Sequence, residues 1–134
     1  MSAASETSNP LKGTWRLIAW EIRKTDGRSY QPFGQDLDGY IGYADHGSMS
    51  VFMRLKTKFI YYAGKYEIIE DRVIHHVTIA GSPANENKDL IRVMSLADNK
   101  LSLTTIEPPP RSLIETAELG DISILIWERA RAKS

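Results

Sequence analysis

The chain of 134 residues is 42% hydrophobic and 25% charged, the usage of a single globular domain large enough to bury a core. Seventeen basic and seventeen acidic residues cancel, which argues against nucleic acid and anionic membrane surfaces as partners, since both demand an excess of Lys and Arg. With no cysteine, a disulfide framework, a thiolate zinc site and a cysteine nucleophile are all excluded.

Residues 1–10 are small and polar, without the hydrophobic segment of a secretory signal, and read as a disordered tail before a domain over 11–130. No apolar run approaches the roughly 20 residues needed to span a bilayer, so the expected location is the cytoplasm. From Gly13 to Arg23 the sequence alternates and is rich in aromatic and branched residues, which predicts a strand. A strict period of two puts Trp15, Leu17, Ala19 and Glu21 on one face and Arg16, Ile18, Trp20 and Ile22 on the other. Asp26-Gly27 marks a turn, and Tyr30 to Asp38, punctuated by Pro32 and Gly34, reads as a loop.

Further strands are predicted over Gly39 to Ala44, Ser48 to Leu55, Phe59 to Ile69 and Val73 to Ala80. A polar loop from Gly81 to Lys88 follows. Asp89 to Leu96 and Lys100 to Ile106 then form a hairpin about Asp98-Asn99. Pro108-Pro109-Pro110 cannot donate to a ladder and interrupts the sheet. Ser112 to Leu119 is open between a short helix and a loop, and Ile122 to Arg129 is a last, strongly apolar strand. About eight short strands joined by tight turns predict an all-β, antiparallel, up-and-down barrel.

Gly13-Thr14-Trp15 at the start and Trp127-Glu128-Arg129 at the end are arranged as in lipocalins. There a Gly-x-Trp tryptophan plugs the barrel floor and an arginine of the last strand lies across the indole. With Leu11-Lys12-Gly13-Thr14-Trp15-Arg16-Leu17, Gly39-Tyr40-Ile41, Tyr62-Ala63-Gly64-Lys65-Tyr66-Glu67 and His75-His76-Val77, the sequence resembles the small bacterial and fungal lipocalin-like domain proteins. That resemblance implies a barrel that carries a hydrophobic ligand, or one that catalyses cyclisation or isomerisation in natural-product pathways. Against the family pattern, the excursion between Met53 and Tyr61 is short and the segment between Ile106 and Ile122 is long, which suggests a lid moved across the mouth.

An eight-stranded barrel is either filled by side chains or holds one small ligand, so function is sought among inward polar residues. With Trp15 inward, Glu21 falls inside near the open end, unless it has reached the wet rim. His75 and His76 point to opposite faces and only one can enter; we place His76 inside, where a neutral imidazole could relay a proton. Tyr62 and Tyr66 share a face with Gly64 between them, leaving room for a ligand to approach the backbone. Arg92 shares a face with Leu90, Met94 and Leu96 and needs an anionic partner, either Glu21 or a ligand carboxylate. Arg54 is a similar candidate, on a face with Phe52. The apolar lining is expected from Leu17, Phe52, Met53, Met94, Leu103, Ile124 and Ile126.

No Gly-rich phosphate loop, Gly-x-Ser-x-Gly elbow or His-Glu-x-x-His motif occurs, and three histidines without cysteine argue against a metal. Three functions follow in order of expectation. The first is binding of a small apolar or amphipathic molecule inside the barrel. The second is a cofactor-independent cyclase or isomerase using Glu21, His76 and Tyr66. The third is haem binding through His75 or His76. An outward stripe of Ile18, Trp20 and Ile22 would need cover from a lid or a second copy, so a homodimer is expected.

Overall fold

The computed structural model describes residues 9–105 and 107–130; of the predicted N-terminal tail only Asn9 and Pro10 fall among them. Nine strands form, numbered in chain order: β1 Gly13–Arg23, β2 Ser29–Tyr30, β3 Leu37–Tyr43, β4 Ser48–Leu55, β5 Lys58–Ile69, β6 Arg72–Ala80, β7 Asp89–Ala97, β8 Lys100–Thr105 and β9 Ile122–Arg129. Each long strand pairs antiparallel with its neighbour in sequence order, and β9 returns to pair with β1. The result is a closed eight-stranded antiparallel barrel, with the two-residue β2 appended to the end of β1. Closure leaves no edge among the eight long strands. Among the described residues no helix is long and apolar enough to cross a membrane.

The predicted strands all form, with ends shifted by two residues at most. Gly81 to Lys88 contains a single 3₁₀ turn at Pro83–Asn85, and Ser112 to Leu119 resolves as turns and loop.

One end of the barrel is sealed as the tryptophan–arginine pattern predicts. Trp15 is fully buried and donates its indole N–H to the Leu11 carbonyl at 3.0 Å. The Arg129 guanidinium lies 4.1 Å from the Trp15 ring centroid and donates to the carbonyls of Lys12 at 2.8 Å and Pro10 at 3.0 Å. It covers the ring face while tying down the chain that enters β1. Gly13 has a φ of +122°, and a Cβ there would stand 3.1 Å from Arg129 Nη1, so the entry bend favours glycine.

β1 departs from strict alternation at one point. Leu17 pairs with Trp127, but Ala19 pairs with Ile126, so Ile18 is an extra residue with no partner of its own on β9. Such a bulge reverses the phase of everything beyond it. Trp15 and Leu17 point inward before the bulge; Trp20 and Ile22 point inward after it, at 5% and 0% exposure. The stripe of Ile18, Trp20 and Ile22 on which a homodimer was expected therefore does not exist on the surface; only Ile18 is exposed. Apolar outer surface lies instead on a cross-strand row of Tyr40, Phe52 and Tyr61, with Phe59 packed edge-on against Phe52.

Residues 107–121 run across the other end. Ile114 and Ala117 join the core, and Lys24 Nζ binds Glu118 at 2.8 Å and the buried Asp121 at 3.0 Å. Burial pushes the Asp121 carboxyl up, but the Glu118 N–H and Lys24 outweigh it and hold it below the usual range. Tyr30 reaches the Thr116 hydroxyl at 2.7 Å and Lys58 donates to the Ser112 carbonyl at 2.7 Å. The long segment is docked over the mouth, as a displaced lid would be.

Replacing Arg129 by Met keeps the stem and removes the charge and its fork of donors. Thermal unfolding should then show a loss of about 1–2 kcal/mol, a fall in Tm of roughly 4–8 °C, with the fold retained by circular dichroism. An unchanged Tm would show that the seal does not depend on this contact.

Candidate functional site

Between the sealed end and the covering segment lies an internal cavity of about 220 Å³. Its walls are apolar: Ile41 from β3, Val51 and Met53 from β4, Ile60 from β5, Leu90 from β7, and Leu103 and Leu125 from β8 and β9. Trp20 and Trp127 line it as well, and Pro108–Pro110 with Leu113 form the roof. A volume of this size corresponds to about seven waters at roughly 30 Å³ each, below the usual range for drug-sized ligands.

One imidazole stands at the centre of a buried polar group in the cavity wall. His75, 1% exposed, faces inward between Val73 and Val77 on β6. Its Nε2 lies 2.6 Å from the Tyr43 hydroxyl and its Nδ1 lies 2.8 Å from the Tyr62 hydroxyl. Burial pushes its pKa down to about 3, helped by the positive charges of Arg92 and His76, so the ring is neutral at physiological pH. Burial also pushes Tyr43 and Tyr62 up, while Arg92 opposes the rise at both. Arg92 lines the cavity beside them; among the described residues its guanidinium makes no ion pair, donates to the Ile91 carbonyl at 3.3 Å and stands beside the Tyr62 hydroxyl. Trp127, 1% exposed, has an indole N–H with no acceptor among the described residues.

The expected site residues divide into three groups. Tyr62, Arg92 and Leu103 line the cavity. Leu17, Met94 and Tyr66 point inward but lie outside its walls: Leu17 is in the core, Met94 packs on the core from β7, and Tyr66 turns its hydroxyl to the Ala44 carbonyl at 2.7 Å and accepts from Asn9 at 2.6 Å. Glu21, Phe52, Arg54, His76 and Ile124 face outward, which corrects the expectation for each. Glu21 follows the β1 bulge to the outside, where it meets Arg23 at 3.5 Å. Phe52 is 54% exposed and Arg54 pairs with Asp36 at 2.7 Å, because β4 buries its other row, Met49, Val51, Met53 and Leu55. Ile124 alternates with the inward Ser123, Leu125 and Trp127, and so does Ile126. His76 stands outside between Glu67 and Asp89, 2.7 Å from each. Hydrogen bonds to Asp89 and Glu67 hold its pKa above the ordinary 6.5. The space beside Gly64 is taken by the His76 carbonyl and Thr78 of β6, at a second bulge, and is not open to a ligand.

Tyr43, Trp20 and Trp127 were not anticipated at the site, and His75, expected only as an alternative haem ligand, takes the inward place given to His76. Tyr43 was available from sequence as the third member of the alternating row Gly39, Ile41, Tyr43 on β3. Among the described residues no group of three or more His, Asp or Glu side chains could hold a metal.

The family model of the lipocalin-like domain matches this sequence over residues 12–59 and 54–130. The chain belongs to the lipocalin-like domain family. Among solved structures it is similar to a lipocalin-like protein from Bacteroides uniformis, at 15% identity and a TM-score of 0.53, covering 90% of this chain and 98% of that one. It is also similar to an uncharacterized protein from Bacteroides eggerthii, at 14% identity and a TM-score of 0.50, covering 90% and 99%. At such identities these likenesses bear on the lipocalin-like fold alone. No curated protein matches.

The buried histidine sets a pH dependence. The folded state keeps His75 neutral, whereas the unfolded chain takes up a proton there below about 6.5. Stability should therefore fall as pH drops from about 6.5 towards 3, with a share of about 1.4 kcal/mol per pH unit from this residue. That share should be absent in His75→Gln, measured as the difference in denaturant midpoints. By nuclear magnetic resonance His76 should titrate above 6.5 while His75 remains neutral at pH 5; a His75 that titrates normally would contradict the geometry.

Proposed function

We propose that this lipocalin-like protein binds a small, largely apolar or amphipathic molecule in its barrel cavity. The observation that carries this is the 220 Å³ hollow inside the barrel, walled by aliphatic side chains and two indoles, with Tyr62, His75 and Arg92 among its few polar groups. An apolar cavity with a few convergent polar groups is the usual anatomy of a small-molecule site. Burying a ligand of about ten carbons there removes enough apolar surface to bind it without any charged contact.

A cyclase or isomerase in the same cavity is less well supported. Its expected proton-transfer groups do not meet: Glu21 and His76 are outside the barrel, and the Tyr66 hydroxyl is engaged by Ala44 and Asn9 away from the cavity. His75 is inside, but a pKa of about 3 makes it a weak base, and both nitrogens are already engaged. The same engagement weighs against haem ligation by His75, which would have to release a tyrosine.

Because Trp20 and Trp127 line the hollow, intrinsic fluorescence should report occupancy. Neutral probes such as 1-octanol should give a saturable change, and Val51→Phe, which narrows the hollow, should weaken it at least tenfold. Absence of saturable binding by any probe of about six to twelve heavy atoms, neutral or charged, would overturn the binding role.

A further inference from the structure

The hydrogen bonds around His75 cannot all be satisfied from within the protein in an arbitrary way. A neutral imidazole offers one donor and one acceptor. Two tyrosine hydroxyls contact it, and among the described residues neither hydroxyl has an acceptor other than the imidazole; Arg92, beside Tyr62, can only donate. One hydroxyl must donate to the bare nitrogen; the other must accept from the ring N–H, leaving its own hydrogen unspent. Tyr43 is 2% exposed and does not line the cavity, so an unspent hydrogen there would be buried without an acceptor, at a cost of about 1–3 kcal/mol. Tyr62 lines the cavity. The tautomer is thereby fixed: Tyr43 O–H donates to Nε2, Nδ1–H donates to Tyr62, and the Tyr62 O–H is directed to whatever occupies the hollow.

Arg92 lines the same hollow and can only donate. Among the residues lining the cavity the one carboxylate is Glu107, which is exposed at the roof and makes no ion pair with Arg92. The further unpartnered group, Trp127 Nε1, is also a donor. Meanwhile Ser123, a possible acceptor, already accepts from the Trp20 indole at 3.2 Å. Asn85, Thr105 and Glu107 add acceptors to the lining, but the groups with hydrogens to spare, Arg92, the Tyr62 O–H and Trp127 Nε1, are donors with a fixed positive charge among them.

We infer that the ligand of this cavity is a small amphipathic carboxylic acid, its carboxylate held by the Arg92 fork and the Tyr62 hydroxyl and its hydrocarbon body packed among the aliphatic walls. The inference rests on the ligand-binding role proposed above. A planar guanidinium matches the two oxygens of a carboxylate, and an anionic acceptor satisfies both donors at once. The hollow sets the size at about ten heavy atoms, that of a medium-chain or aryl-alkyl acid.

The test is a matched set of probes with one chain length: octanoate, 1-octanol and octylamine, titrated at pH 7 by tryptophan fluorescence and calorimetry. Octanoate should bind roughly 10- to 100-fold tighter than 1-octanol, and octylamine more weakly than either. Arg92→Met should remove the preference for the acid while leaving 1-octanol within about twofold. Tyr62→Phe should reduce the preference by part, and Arg92→Lys should keep some of it. The wild-type comparison decides even if a variant folds poorly. Equal affinity for octanoate and 1-octanol, or an advantage for the amine, overturns the carboxylate inference and leaves the binding role standing. No saturable binding by any of the three overturns both.

Discussion

The interior of this barrel is organised by the one extra residue in β1. Without Ile18 looped out of register against β9, the row that begins with Trp15 and Leu17 would continue through Ala19 and Glu21, carrying a carboxylate inward and Trp20 and Ile22 to the surface. With the bulge, one strand contributes a tryptophan to the sealed floor and another to the upper cavity wall. Trp20 is then fixed there by the Ser123 hydroxyl and by an edge-on contact with Phe33 at 5.4 Å. Floor, hollow and covering segment all take their positions from that change of phase.

Two electrostatic arrangements on either side of β6 illustrate how the wall separates environments. On the outside, His76 sits between Glu67 and Asp89 in water, where its charged form is favoured. One residue earlier and one wall thickness inward, His75 is held neutral by desolvation and bracketed by two phenols. Adjacent identical side chains thus have their pKa values moved in opposite directions because alternation along a strand places one in water and the next in hydrocarbon. The inner histidine orders the hydroxyl of Tyr62, while the outer one ties neighbouring strands together across the surface.

Much of the architecture was legible because turn residues and alternation are local signals. Asp26-Gly27 and Asp98-Asn99 punctuate strands whose limits hold to within two residues. The Trp15 and Arg129 pair was legible too, being a matter of residue type at either end of the sheet. Facing was harder, and each error has a separate cause. Glu21 was lost to the bulge, which nothing in the composition of β1 announces. On β4 the inward row Met49, Val51, Met53 and Leu55 is uniformly apolar, and its contrast with Ser48, Ser50 and Arg54 was a usable signal outweighed by the aromatic Phe52. On β9 both faces are apolar between Ile122 and Trp127, so only Trp127 could have set the phase. His75 and His76 were ambiguous because the flanking Ile74 and Val77 suit either face; the charged partners of His76 arrive from β5 and β7, which sequence adjacency does not reveal.

The ring is closed by its two most distant strands, since β1 and β9 are separated by nearly the whole described chain. Every other pairing among the long strands joins two that follow one another along the chain, but this one must wait for the entire sheet to coil round. The entropy of bringing such remote segments together grows only slowly with their separation, yet it falls before any compensating contact is made. Until that final zipper shuts, β1 and β9 each present a bare row of backbone donors and acceptors, the kind of margin on which chains pair with one another. The last seam of the barrel is therefore also the point at which folding competes most directly with aggregation.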